Sequence, residues 1–173
     1  KGNVHQHLDL IAGLPYEDYE RFAQSFRDVY ALHPEQLQLG FLKVLKGSYM
    51  HEKTEDYQLL YQDRPPFEVL STKWLSYDDV IKGVEEMVEV YYNSGQFVNT
   101  LRLLEEEFTD TFALYESLSR YYEENGLHMI NHSRITRYEV LFAFIKACVE
   151  KNVENYRQML ILDLYLRENV KKR

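Results

Sequence analysis

The stretch from Val4 to Glu17, VHQHLDLIAGLPYE, constrains the fold of this chain more than any other. Its residues alternate. Val4, Leu8, Leu10 and Ala12 fall on one side and His5, His7, Asp9 and Ile11 on the other, the period-two signature of a strand with one apolar and one chemically capable face. Gly13-Leu14-Pro15 breaks that strand, because glycine frees the backbone and proline cannot continue a hydrogen-bonded ladder. The acidic pair Glu17 and Asp18 then opens a helix. A strand that ends in a glycine-bearing turn with a helix behind it is where α/β proteins place ligands.

The helix is signalled by Tyr19, Phe22, Phe26, Val29 and Tyr30, which share one face, and it ends at His33-Pro34. From Leu37 to Val44 the alternation returns, with Leu37, Leu39 and Phe41 on one side. Strand, helix and strand in this order make a βαβ unit, hence a parallel pair. After a loop at Lys46-Gly47-Ser48, a Tyr-bearing stretch suggests a short helix around Thr54 to Tyr61. Arg64-Pro65-Pro66 reads as a hinge, and Phe67 to Leu75 as a short strand. Beyond it the pattern is helical. Ser76 is a cap for a helix carrying Val80, Val84, Met87, Val88 and Tyr91, with Gly95 at its end. Phe97, Leu101 and Leu104 mark a second helix, and Phe112, Leu114, Leu118 and Tyr122 a third that stops at Gly126. Ser133 opens a fourth with Tyr138, Leu141, Phe142 and Ile145, and Tyr156, Leu160, Leu164 and Tyr165 lie on a fifth. The fold class is therefore α+β and mostly helical: a βαβ piece over residues 1–65, then an all-α module over 66–173. The segments YYNSGQF and YYEENGL both set a Tyr pair before a glycine, a hint of helical hairpins without a third copy.

Charge narrows the partners. With 20 Lys plus Arg against 28 Asp plus Glu, the formal charge of -8 repels phosphate backbones and anionic membrane surfaces, so neither nucleic acid nor membrane is expected to bind. No apolar run reaches the ~20 residues of a membrane span and no signal-peptide pattern opens the chain, so the default location is cytoplasmic. The start at Lys1, almost directly into a strand, reads as a piece of a longer protein. The lone cysteine, Cys148, lies in the apolar run LFAFIKACV and reads as a small buried hydrophobe.

Several constellations invite chemical readings. His5, His7 and Asp9 point one way from a strand, so an H-x-H metal site is geometrically allowed. Further ligands would have to come from other strands, and the second strand offers only Gln38 on that face, so a polar barrel lumen is the plainer reading. His128 and His132 have the spacing of a helical chelate, but Gly126 and Asn131-His132-Ser133 read as loop and cap. Glu85-Glu86 and Glu105-Glu106-Glu107 read as solvated helix faces. Trp74 and the striped tyrosines read as core or interdomain packing, with a ligand cavity as the other option.

The run HLDLIAGLPYEDYERF resembles a late barrel strand, its turn and the next helix in radical S-adenosylmethionine enzymes, where a D-x-I-x-G-x-P-G-E type segment lies along the cofactor. Asp9, Ile11, Gly13, Leu14, Pro15 and Glu17 carry the match, and Tyr16 stands where the family usually has glycine. The segments LQLGFLKVLKGSYMHE, RPPFEVLSTKWLSYDD and EMVEVYYNSGQF are similar to the end of the barrel and the C-terminal helical domain of bacterial radical-SAM proteins with an N-terminal cobalamin-binding domain. The resemblance implies that the βαβ piece is the remnant of a (β/α) barrel in an Fe-S oxidoreductase. Ile11, Gly13 and Leu42 would then form the surviving wall of the S-adenosylmethionine site. The C-x-x-x-C-x-x-C ligands of the 4Fe-4S cluster, and any residues for cobalamin, would lie in an N-terminal remainder of the parent chain. The piece itself would carry no cofactor and be catalytically silent alone, and without that remainder its residues 1–65 would be mobile or bury themselves against a second copy in a homodimer. A different class stays open: a helical protein-binding module in which the barrel residues are incidental.

Overall fold

The computed structural model describes residues 4–76 and 79–168. Strand β1 (His7–Ala12) pairs in parallel with β2 (Gln36–Phe41), His7 opposite Gln36 and Ala12 opposite Phe41, through α1 (Tyr19–Tyr30). The expected faces are found. Leu8 and Leu10 are half-buried and Ala12 fully buried, whereas His7, Asp9 and Ile11 are exposed. Asp18 caps α1 by accepting from the Arg21 N–H at 2.9 Å, and Phe22, Ala23, Phe26 and Tyr30 form its buried stripe.

The stretch after β2 departs from expectation. The short helix is α2 (Tyr49–Glu52), earlier than the Thr54–Tyr61 span, because Ser48 supplies an N-cap, its hydroxyl accepting from the His51 N–H. Thr54 sits at the opposite end, its Oγ1 donating to the His51 carbonyl at 2.8 Å. β3 (Leu60–Tyr61) then pairs antiparallel with β4 (Val69–Ser71), and Arg64-Pro65-Pro66 forms the turn between them, closed by a hydrogen bond from Phe67 N–H to the Arg64 carbonyl. The chain beyond β2 ties both pairs together: Leu42 donates to the Ala12 carbonyl, and Val69 donates to the Leu42 carbonyl at 2.8 Å. Val44, Leu59 and Val69 bury together there, flanked by Leu42, Met50, Tyr57 and Tyr61. Among the described residues the strands form two separate pairs and no closed barrel.

Two compact units divide the chain, Lys1–Glu85 and Glu86–Arg173, and α3 (Asp79–Met87) runs across their boundary. The proposed Ser76 cap involves residues 77–78, which lie outside the described residues. The second unit continues with a π-helical run (Val88–Asn93), α4 (Val98–Phe108), α5 (Thr111–Glu124), a 3-10 turn (Leu127–Met129), α6 (Arg134–Cys148) and α7 (Val153–Arg167). Ser133 caps α6 as the sequence predicts, and Gly95 and Gly126 reverse the chain at positive φ. The helices bury the expected Leu101, Leu104, Leu118, Leu141, Ile145 and Leu160 together with Phe97, Phe112, Tyr91, Tyr115 and Tyr156.

Three expectations change. Phe144, not Phe142, is the buried phenylalanine of α6, a helix with apolar residues on several faces. Cys148, the last residue of α6, is exposed, and Val149 takes the buried place beside it. On α7 Tyr165 is exposed while Asp163 is fully buried. Asp163 is held by four donors: Asn99 N–H and Nδ2 on Oδ1, at 3.1 and 2.8 Å, and Thr100 N–H and Oγ1 on Oδ2, at 2.9 and 2.8 Å. α4 has no side-chain cap of its own at Phe97, so a carboxylate from α7 satisfies the orphan N–H groups of its first turn. Beside it, Glu168 takes a bidentate pair from Arg134 at 2.8 and 3.1 Å, and Gln96 Nε2 donates to the same carboxylate.

Candidate functional site

The strand-end wall lies within the first unit. Gly13 follows β1 with φ +86°, a left-handed conformation that glycine adopts without penalty. The space a Cβ would occupy is already taken: Val69 Cγ1 would lie at 3.3 Å and Leu42 Cβ at 3.8 Å. Gly13 and Leu42 are thus brought together, with the bare side of the glycine packed by its own chain. Ile11 is 44% exposed on the outer face of β1, opposite Gly40, and is the wall residue with a free surface. His7 and Asp9 on the same face meet each other, Nε2 to Oδ1 at 3.1 Å, and His5 is exposed.

The turn itself keeps a glycine-like shape. Tyr16 has φ +67°, and its ring packs on Trp74 at 4.6 Å and lies 6.1 Å edge-on from Tyr57. A tyrosine therefore occupies a left-handed position usually left to glycine, its exposed ring packed on the half-buried Trp74. Tyr57 in turn shares a 3.5 Å hydroxyl contact with Tyr49, which, with its other neighbours, pushes its phenol up from 10.0. Glu17, one turn residue later, is partly buried. Desolvation raises its carboxyl above 4.5, and its Oε2 has no hydrogen-bond partner among the described residues.

In the helical unit the two histidines singled out by spacing line one cleft. The cleft has a volume of about 430 Å³ and is lined by Glu86, Val90, Tyr122, Leu127, His128, Ile130, Asn131, His132 and Arg137. His128 Nδ1 lies 2.9 Å from Glu86 Oε2, and His132 Nε2 lies 2.9 Å from the Leu127 carbonyl. Carboxylate and carbonyl oxygens only accept, so Nδ1 of His128 and Nε2 of His132 carry protons, leaving His128 Nε2 and His132 Nδ1 as the nitrogens with remaining capacity. Both rings pack on Tyr122, at 5.4 and 5.9 Å. Tyr122 is fixed by a buried 2.6 Å hydroxyl pair with Tyr91, and burial pushes both phenols up, so both are neutral at pH 7.

Sequence reasoning found the two histidines and missed Glu86, Asn131, Tyr122 and Arg137 as their neighbours. The Glu86–His128 pair spans 42 residues, and no local spacing announces it. Glu106 and Glu107 are exposed on α4, the solvated face expected of them. Among the described residues no group of three or more His, Cys, Asp or Glu is placed to hold a metal ion. None of the described helices is long and apolar enough to cross a membrane.

Fold and site together define an α+β, mostly helical protein with a short parallel strand pair at one end of its sequence and a helical unit with its own cleft at the other. Residues 55–173 match the family model described as "Protein of unknown function (DUF4080)", and the chain belongs to that family. Neither the comparison with curated proteins nor that with solved structures gives a match.

Proposed function

We propose that this chain is the C-terminal part of a radical S-adenosylmethionine Fe-S oxidoreductase, in which the first unit supplies part of the cofactor wall and the helical unit is an accessory domain. The observation that carries the reading is the end of β1. The D-x-I-x-G-L-P-x-E residues run out of a parallel strand, through a turn with positive φ at Gly13 and Tyr16, into the Asp18-capped α1. Position 16 keeps a backbone suited to the glycine usual in the resembling family. Domains of the family found over residues 55–173 occur in radical-SAM and cobalamin proteins, which supports the same reading.

The chain has one cysteine, so a cluster held by three thiolates does not fit these residues, and its ligands belong to another part of the parent. For S-adenosylmethionine the fit is partial. Ile11 offers an open apolar surface and Leu42 is half-buried beside Gly13, whereas the bare side of Gly13 is spent on Val69. The cofactor would supply the radical chemistry, and this chain an apolar surface beside it.

The test is 5′-deoxyadenosine formation by the anaerobically reconstituted full-length parent. Product is expected from the parent and not from this chain alone, and Ile11→Gln in the parent should raise the KM for S-adenosylmethionine about tenfold, the equivalent of one lost apolar contact. No product from a parent with a full cluster complement would refute the proposal. A second reading, a helical protein-binding module, is favoured by one observation: Ile161, Leu162, Tyr165 and Leu166 of α7 are all exposed and lie on one side of the helix. A parent active as before after Leu162→Lys and Leu166→Lys, yet changed in its protein associations, would favour that module.

A further inference from the structure

The cleft of the helical unit pairs its one carboxylate with a histidine and leaves its one guanidinium without an ion-pair partner among the described residues. Glu86 is engaged by His128 at 2.9 Å. Arg137 is the only described arginine of this unit that is not exposed, and among the described residues it has no carboxylate within ion-pair distance, whereas Arg120, Arg134 and Arg157 each have one. A half-buried guanidinium without an ion pair gives up hydration that no direct carboxylate contact restores, and its planar fork suits an oxyanion. Val90, Leu127 and the 58% exposed Ile130 add an apolar wall, and about 430 Å³ is the size of a small-molecule site.

We propose that this cleft binds a small organic oxyanion, a carboxylate or phosphate ester, with Arg137 as its anchor, the Asn131 amide as a second donor, the unprotonated His128 Nε2 as an acceptor for a hydroxyl or amino group elsewhere on the ligand, and the apolar wall against the rest of it. The site is independent of the cofactor reading of the first unit and stands or falls without it.

The purified chain is titrated with inorganic phosphate and, separately, with benzoate, while the arginine Nε–H and histidine ring resonances are followed by NMR. A saturable shift of the Arg137 Nε–H and the His128 ring is expected, at a Kd on the order of 1 mM or below, with benzoate the tighter because it also covers apolar surface. Saturation by benzoate alone upholds the site and restricts it to carboxylates. Arg137→Gln should weaken binding about tenfold or more, Arg137→Lys should fall between that and the unsubstituted chain, and Glu86→Gln should tighten it by removing a like charge. Arg102→Gln, on an exposed stretch of α4, should change nothing. Neither probe saturating through about 10 mM, or equal weakening by the Arg102 and Arg137 variants, overturns the proposal. The thermal midpoint of Arg137→Gln, expected to be unchanged, separates lost binding from lost folding, and Arg137→Lys carries the test should it drop.

Discussion

The two units hold their shape by different means. In the first, the fold is written in backbone: short strand pairs, and positive φ at the non-glycine residues Tyr16, His33, Gln58 and Phe67, where in the second unit only Thr109 and Asn152 among described non-glycine residues adopt it. In the second, it is written in side chains, with the large buried Tyr91, Phe97, Tyr115, Phe144 and Tyr156 filling the space between helices. Substitutions in the first unit should therefore act through allowed dihedrals, and those in the second through cavities and lost hydrogen bonds. Trp74, the single tryptophan, sits in the first unit, so its fluorescence reports that region while far-ultraviolet circular dichroism mainly reports the helices.

The largest effect should come from Leu118→Ala. Leu118 is fully buried on α5, and removing it should destabilise by ~2–5 kcal/mol in urea melts followed by circular dichroism. A Trp74 midpoint that moves by the same amount would mean that the two units unfold as one and would dissolve the contrast. Asp163→Ala should come next, at about 2–4 kcal/mol, since it strips the N–H groups of Asn99 and Thr100 of their acceptor. Asp163→Asn, which keeps an acceptor for part of the set, should lose less.

Gly13→Val should destabilise the first unit by roughly 1–3 kcal/mol, seen first in the Trp74 signal. The cause is φ +86° and the 3.3 Å approach of Val69, which act with no cofactor present. Loss of activity in such a variant would therefore say little about the cofactor, and Ile11 is the better probe.

Acid should act with opposite sign through two carboxylates, Glu17 in the first unit and Glu168 in the second. Arg134 holds the Glu168 carboxyl below 4.5, so that contribution is complete above about pH 4.5 and fades as pH falls through the lowered value. Desolvation raises Glu17, so its contribution is complete below 4.5 and is lost as pH rises through the raised value. Comparing urea midpoints of Glu168→Gln and Glu17→Gln with the unsubstituted chain across pH 3 to 7 reads each slope, and slopes of the same sign would contradict the assignment. The smallest effect belongs to Tyr16→Gly. Relief of the left-handed strain and loss of the Trp74 contact are each on the order of 1 kcal/mol and should nearly cancel, although Trp74 emission should shift.

Much of the fold was legible because it is local. The alternation at Leu8, Leu10 and Ala12, the Asp18 and Ser133 caps and the stripes of α4 and α5 lie within one or two turns of each other. What was missed lacks a local signature. Two residues, Leu60 and Tyr61, are too few to show a period, and α6 carries apolar residues on enough faces that Phe142 and Phe144 could not be ranked. Asp163 looks like any charged residue on an amphipathic helix until Thr100, 63 residues away, is placed against it. The cleft was half visible: the His128 and His132 spacing drew attention, while Glu86 and Arg137 joined them only through the fold.

The buried Asp163 carboxylate has a consequence for the order in which the helical unit can be completed. During synthesis α4 emerges well before α7, and until Asp163 arrives the first turn of α4 has only water for its N–H groups. An early helix of that unit is thus finished by a late one, a clasp fastened well down the thread. A nascent chain halted before residue 163 would expose an unclosed α4 to proteases, and release of the last helix would protect it in a single step.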